Sequence, residues 1–151
     1  MGAEAKLAEM GIEVPEVVPP VAAYTPAVRS GHHIFTSGQL PARKGEMIAV
    51  GKVGAEVDED TAYECAKQCA LNALAAIKAE LGSLDDVKRV VKVVVFVASA
   101  PDFVGQPKVA NGASEFLGEV FGEAGVHARS AVGVAALPLG VPVEVELLVE
   151  V

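Results

Sequence analysis

The segment ARSAVGVAALPLGVPVEVELLVEV, Ala128 to Val151, is almost wholly aliphatic, yet it opens on Arg129 at the edge of what reads as a buried strand. A guanidinium keeps its proton at any working pH and is seldom buried without a partner. Arg129 therefore either snorkels to water or is met by something anionic. Other reactive side chains are few. Cys65 and Cys69 stand four apart in a strongly helical stretch, so both thiols share one helix face. That spacing suits core packing and matches neither a C-x-x-C redox pair nor a zinc knuckle. His32 and His33 fall in a turn signal and are expected to be solvated, whereas His127 lies two residues before Arg129 and can tune its surroundings near neutral pH. No three side chains show metal-ligand spacing, and no metal is expected.

Hydropathy patterning supplies the elements that must position these groups. Residues 3–10 read as a short helix stopped by Gly11, followed by the proline-rich extended stretch VPEVVPP. TPAVRSGHHIFTSGQLP reads as a hairpin with Ser30 and Gly31 at its turn. MIAVGKVGAEV, broken by Gly51 and Gly54, predicts a short strand and a loop. From Asp58 the period changes: Ala62, Cys65, Ala66, Cys69, Ala73, Leu74, Ile77 and Leu81 recur at three and four, with acidic residues in the first turn and Gly82 after the last. VKRVVKVVVFVAS must be a central strand. A second helix starts near Pro107 and ends near Gly122, with Val109, Ala113, Phe116, Leu117, Val120 and Phe121 on its apolar face and Asn111 on the other side. The last two strands are joined through LPLGVP. A simple hairpin there sets Arg129 opposite the end of the last strand, near Val149, and about five residues, at ~3.3 Å each, from Glu144.

The order β-β-(β)-α-β-α-β-β in 151 residues fits a single α+β domain: a mixed sheet with two helices on one face. The other face is then solvated or covered by another chain. In the valine-rich strand, Val91, Val93, Val95 and Val97 take one face and Val90, Val94, Phe96 and Ala98 the other, so both faces seek burial and self-association is expected. A net charge of −8 with no basic cluster argues against a nucleic-acid partner. The N-terminus lacks the apolar core of a signal peptide, and the longest apolar run is too short to span a bilayer, so a cytoplasmic protein without a membrane partner is expected.

FTSGQLP at 35–41, preceded by Tyr24 and followed by ARSAVGVAALP and the terminal VEVELLVEV, resembles the RidA/YjgF family of small imine deaminases. The resemblance runs from about Tyr24 to Val151, which sets residues 1–20 apart as an N-terminal helix and arm before a RidA/YjgF-like domain over 21–151. It implies a homotrimer with a chorismate-mutase-like barrel core and ligand clefts between subunits. It also implies hydrolytic deamination, without metal or cofactor, of reactive 2-imino or enamine acids to 2-keto acids and ammonia. By this resemblance Arg129 grips the substrate carboxylate and Glu144 holds the attacking water. Ser37 and the Gly38 backbone bond the ligand, and Tyr24 and Asn111 occupy the positions of the family's site tyrosine and asparagine. The sequence departs from the pattern at Ala131, where many deaminating members carry a cysteine. That departure keeps open a second reading, a non-catalytic carboxylate-binding or regulatory module. Endoribonuclease activity, claimed for some members, fits the net charge of −8 less well.

Overall fold

The computed structural model describes residues 2–20 and 22–151. The longest helix, α2 (Glu59–Leu81), begins where Asp58 Oδ1 accepts a 2.7 Å hydrogen bond from the Thr61 amide. That bond holds the Asp58 carboxyl below its usual range and fills one of the helix's orphan donors. Glu59 and Asp60 complement the positive end of the dipole, and Gly82 stops the helix at φ 95. Every apolar position that the three-and-four period picks out from Ala62 to Ile77 is buried. Cys65 and Cys69 are free and lie in this face. Burial pushes the Cys65 thiol up to about 11 and Cys69 further in the same direction, as befits packing groups.

The strands β1 (Ala27–Ser30), β2 (His33–Thr36), β5 (Arg89–Ala98), β6 (Ala128–Val134) and β7 (Val143–Glu150) form one sheet in the order β1-β2-β7-β5-β6. All neighbours are antiparallel except β5 and β6. Helix α3 (Gln106–Phe121) makes the crossover between that parallel pair, as a parallel connection requires. α2 and α3 lie on the face that carries Ile34, Val93, Val95, Val97, Val143, Val145, Leu147 and Val149, all buried in one core. The fold is the α+β arrangement expected, a mixed sheet with its long helices on one side.

Four expectations change in detail. The final two strands are not a hairpin: β5 stands between them, pairing Val93 with Arg129 of β6 and with Leu147 of β7. A strand of ten residues rich in valine takes partners on both edges, which separates the two strands that sequence proximity would join. Within β5, a register shift between Val90 and Lys92 inserts one extra residue. Val90 thereby shares the core face with Val93, Val95 and Val97, while Val91 does not, reversing the alternation at that end. The MIAV stretch is not a strand of its own. Met47 ends a two-stranded ribbon of β3 (Ala42–Arg43) and β4 (Glu46–Met47), and Val53 makes only isolated parallel bridges, to Val57 and Ser99. The β1–β2 turn is made by Gly31 and His32, because Ser30 pairs with His33, so His33 belongs to a strand. Both histidines are exposed, as expected of a solvated pair.

The N-terminal helix α1 (Ala3–Glu9) is tied to the body. Leu7 is 1% exposed within the core. Glu4 pairs with Lys78 at 2.7 Å and accepts the Leu84 amide at 3.1 Å. The hydrogen bond from the Lys78 ammonium holds the Glu4 carboxyl below its usual range. The sheet face away from the helices is left open: Val28 is 52% exposed, Phe35 49% and Val132 43%, with Val94, Phe96 and Leu148 half-buried beside them. No helix of the described residues is long and apolar enough to cross a membrane.

Candidate active site

The first cluster forms where β2 parts from β7. Pairing runs to Phe35 opposite Leu148 and resumes at Gln39 opposite Val145, so Thr36, Ser37 and Gly38 face only two residues of β7. The ladder stays satisfied across this bulge. Thr36 Oγ1 accepts the Leu147 amide at 2.9 Å, and Gln39 exchanges backbone bonds of 2.8 and 3.1 Å with Val145. Ser37 is pinned by its amide to the Pro26 carbonyl at 2.8 Å and by its hydroxyl to the Thr25 carbonyl at 2.6 Å. With that proton committed, Ser37 Oγ offers a ligand its lone pairs. Tyr24, 45% exposed, adjoins Thr25 and so borders the same turn.

Gly38 lies directly over Glu144, and a Cβ at residue 38 would collide with the carboxylate. The absence of a side chain is what lets the bulge backbone approach the acid. Glu144 is half-buried on the open face of the sheet, opposite Phe96. Burial, and then the neighbouring Glu146, push its pKa up from the ordinary carboxylate range. A carboxylate that prefers its proton more than usual is a better general base than a free glutamate.

The second cluster surrounds Arg129. The β5–α3–β6 crossover lays α3 over β6, and Arg129 Nη1 donates to Asn111 Oδ1 at 2.8 Å and to Ser114 Oγ at 3.1 Å. Both partners are neutral. The ion pairs among the described residues are Lys6 with Glu9 and Lys78 with Glu4, so the guanidinium is anchored without being neutralised. Asn111 leaves the core face of α3, as its helical position predicts, and meets Arg129. Ser114 was not legible from sequence; its one signal is its place three residues after Asn111, on the same side of the helix. His127 closes the group, with Nε2 2.9 Å from Ser114 Oγ and Nδ1 2.6 Å from the Gly125 carbonyl. Among the described residues, no three His, Cys, Asp or Glu side chains converge on a possible metal position.

The two clusters do not meet within one chain. Arg129 is level with Val93 on the helix-covered face, and Glu144 is level with Phe96 on the open one. Arg129 stands opposite Leu147 by way of β5, three residues from Glu144 along the strand direction and two strand spacings across, roughly 14 Å from backbone to backbone. This corrects the expected position near Val149, while the separation of the two residues remains.

Known proteins fit this architecture. Residues 4–151 match the family model described as "YjgF/chorismate_mutase-like, putative endoribonuclease". Protein TCP17 of Trypanosoma cruzi is 46% identical over 147 residues, 97% of this chain and 92% of its own length. A 2-iminobutanoate/2-iminopropanoate deaminase of Dermatophagoides farinae is 33% identical over 140 residues, 91% of this chain and 93% of the relative. Among solved structures, Atu1372 of Agrobacterium tumefaciens superposes with a TM-score of 0.92 at 44% identity, covering 99% of this chain and 92% of that one. E. coli TdcF, solved with bound serine, superposes with a TM-score of 0.61 at 28% identity, covering 91% of this chain and 93% of that one. The bulge over a carboxylate, the arginine on a crossover strand and these likenesses along nearly the whole chain lead to one conclusion: the chain belongs to the YjgF/RidA family.

Proposed function

We propose that this protein is a hydrolytic deaminase of reactive 2-imino and enamine acids, converting them with water to 2-keto acids and ammonia without metal or cofactor. The observation that carries the reading is Arg129, held by Asn111 and Ser114 with its charge uncancelled. One guanidinium nitrogen serves the scaffold, and the other N–H groups are left to grip a carboxylate in charge-assisted bonds. The named deaminase of D. farinae supports the substrate class, and the serine bound to TdcF supports a small amino or keto carboxylate as the ligand shape.

In this reading Arg129 and Asn111 of one subunit face Tyr24, Ser37, Gly38 and Glu144 of the next, in a homotrimer whose interfaces cover the open sheet face. Glu144 orients a water against the imine carbon and takes its proton as the C–O bond forms. The resulting carbinolamine receives that proton on nitrogen, and Glu144 then takes the hydroxyl proton as the C–N bond breaks, the carbonyl forms and ammonia leaves. Residues 21–151 carry the site in this proposal, residues 1–20 form the N-terminal helix and arm that precede it, and the setting is the cytoplasm. The net charge of −8 supports a small anion held by one built site over a nucleic-acid backbone. The test is to generate 2-iminopropanoate or 2-iminobutanoate with an amino-acid oxidase and follow trapping by semicarbazide. The protein is expected to suppress semicarbazone formation; rates equal to buffer across several imino acids contradict catalysis.

A second reading rests on Ala131, which follows Arg129 by two residues on the same face of β6 and brings no thiol to the cluster. A module that only binds carboxylates would be stabilised by a keto acid, with a raised melting temperature, and would show no turnover.

A further inference from the structure

His127 and Ser114 have no part in the deamination chemistry, yet they form a continuous hydrogen-bonded line to Arg129. The line starts at Gly125, where the chain turns from α3 into β6. A Cβ at residue 125 would collide with the Leu117 carbonyl, so glycine alone lets this turn lie against α3. That close approach sets the Gly125 carbonyl 2.6 Å from His127 Nδ1. A carbonyl only accepts, so Nδ1 carries a proton, and the tautomer this selects leaves Nε2 as an acceptor. Nε2 lies 2.9 Å from Ser114 Oγ and accepts a hydrogen bond from the hydroxyl. The serine oxygen then presents its lone pairs to Arg129 Nη1, 3.1 Å away.

We infer that His127 and Ser114 are positioning residues that fix the rotamer of Arg129 for carboxylate binding, with His127 acting through Ser114. This rests on the carboxylate-binding reading of Arg129. A serine and histidine in contact, with the other ring nitrogen on a carbonyl, also have the outline of an activated nucleophile. Ser114 lies inside α3, where amide N–H groups are consumed by the helix, so no pair of backbone donors is free beside Oγ to stabilise an oxyanion. Its oxygen is instead engaged by the guanidinium. Holding an unneutralised arginine with neutral acceptors restricts its rotamers and keeps its full charge for the ligand.

The test titrates the full-length protein with 2-oxobutanoate by calorimetry, for wild type, Arg129→Ala, Ser114→Ala, His127→Leu, His127→Gln and the Ser114→Ala/His127→Leu double variant. Arg129→Ala is expected to abolish binding. Ser114→Ala and His127→Leu should each weaken it about tenfold, the size of one ordinary hydrogen bond. The double variant should bind no worse than Ser114→Ala, and His127→Gln, which retains an acceptor, should recover most of the affinity. Effects that add in the double variant, or wild-type affinity in Ser114→Ala, overturn the positioning role while leaving the carboxylate reading intact. A wild-type protein that does not bind 2-oxobutanoate overturns the carboxylate reading and the positioning role with it. Thermal melts of each variant separate loss of positioning from loss of fold.

Discussion

Arg129 and Glu144 carry opposite kinds of readiness. The arginine is held by neutral groups, and the glutamate is pushed toward its protonated form by burial and by Glu146. The sign of the second effect fixes a prediction. A carboxyl whose folded-state pKa is raised holds its proton more tightly in the fold than in the unfolded chain. Its contribution therefore favours the fold at low pH and is lost as pH rises through the raised value. At neutral pH the ionised Glu144 is a cost to stability, and Glu144→Gln removes it. That variant is expected to melt at the same temperature or higher while deamination falls by roughly 10²–10⁴-fold. For wild type, kcat/KM should fall on the acid side through the pKa of Glu144, with that limb above the position of an ordinary glutamate near about 4.3. A melt and a pH–rate profile check both. Arg129, Glu144, Ser37, Gly38, Tyr24 and Asn111 were singled out by the family resemblance, and the structure sets Arg129 beside Asn111 and Gly38 over Glu144. Ser114 was not singled out, because a serine on a half-exposed helix position looks like surface until the strand beneath it is known.

At the scale of elements, the long helices and β5 were readable because their apolar periods are unambiguous. The pairing of β6 was not. A short loop such as LPLGVP suggests a hairpin, and only the demand of β5 for partners on both edges makes its two flanking strands separate. The two-residue strands β3 and β4 carry too few residues for any period. They are held from outside: Asn72 of α2 donates to the carbonyls of Leu40 and Ala42 at 3.0 and 2.9 Å and accepts from Gln68 at 3.0 Å. Leu40 follows Gln39, whose bridge to Val145 adjoins Glu144. The Leu40 carbonyl keeps the Ala42 amide at 2.9 Å, so Asn72→Leu should cost about 1–3 kcal/mol, mainly through the Ala42 carbonyl. It should also loosen the segment that supports the bulge. Denaturant titration measures the first, and faster hydrogen exchange at the Gln39 and Val145 amides reports the second.

For the whole molecule, the proposed homotrimer would account for both the open sheet face and the separation of the two clusters. Val93 and Val95 are fully buried inside the chain's own core, so a charge there should unfold the protein. Val132 lies on the open face instead. Val132→Glu is expected to give a folded species of monomer mass in light scattering, without deaminase activity. The same variant remaining trimeric and active would count against the open face as the interface.

Sharing of the site between subunits is tested most directly by complementation. Arg129→Ala and Glu144→Gln are each expected to be inactive. When the two are mixed and allowed to exchange subunits, a site built from Arg129 of one chain and Glu144 of the next finds both groups intact in about a quarter of random arrangements. The mixture should therefore regain about a quarter of wild-type deamination. Activity that stays at the level of the separate variants after proven subunit exchange contradicts a site shared between chains.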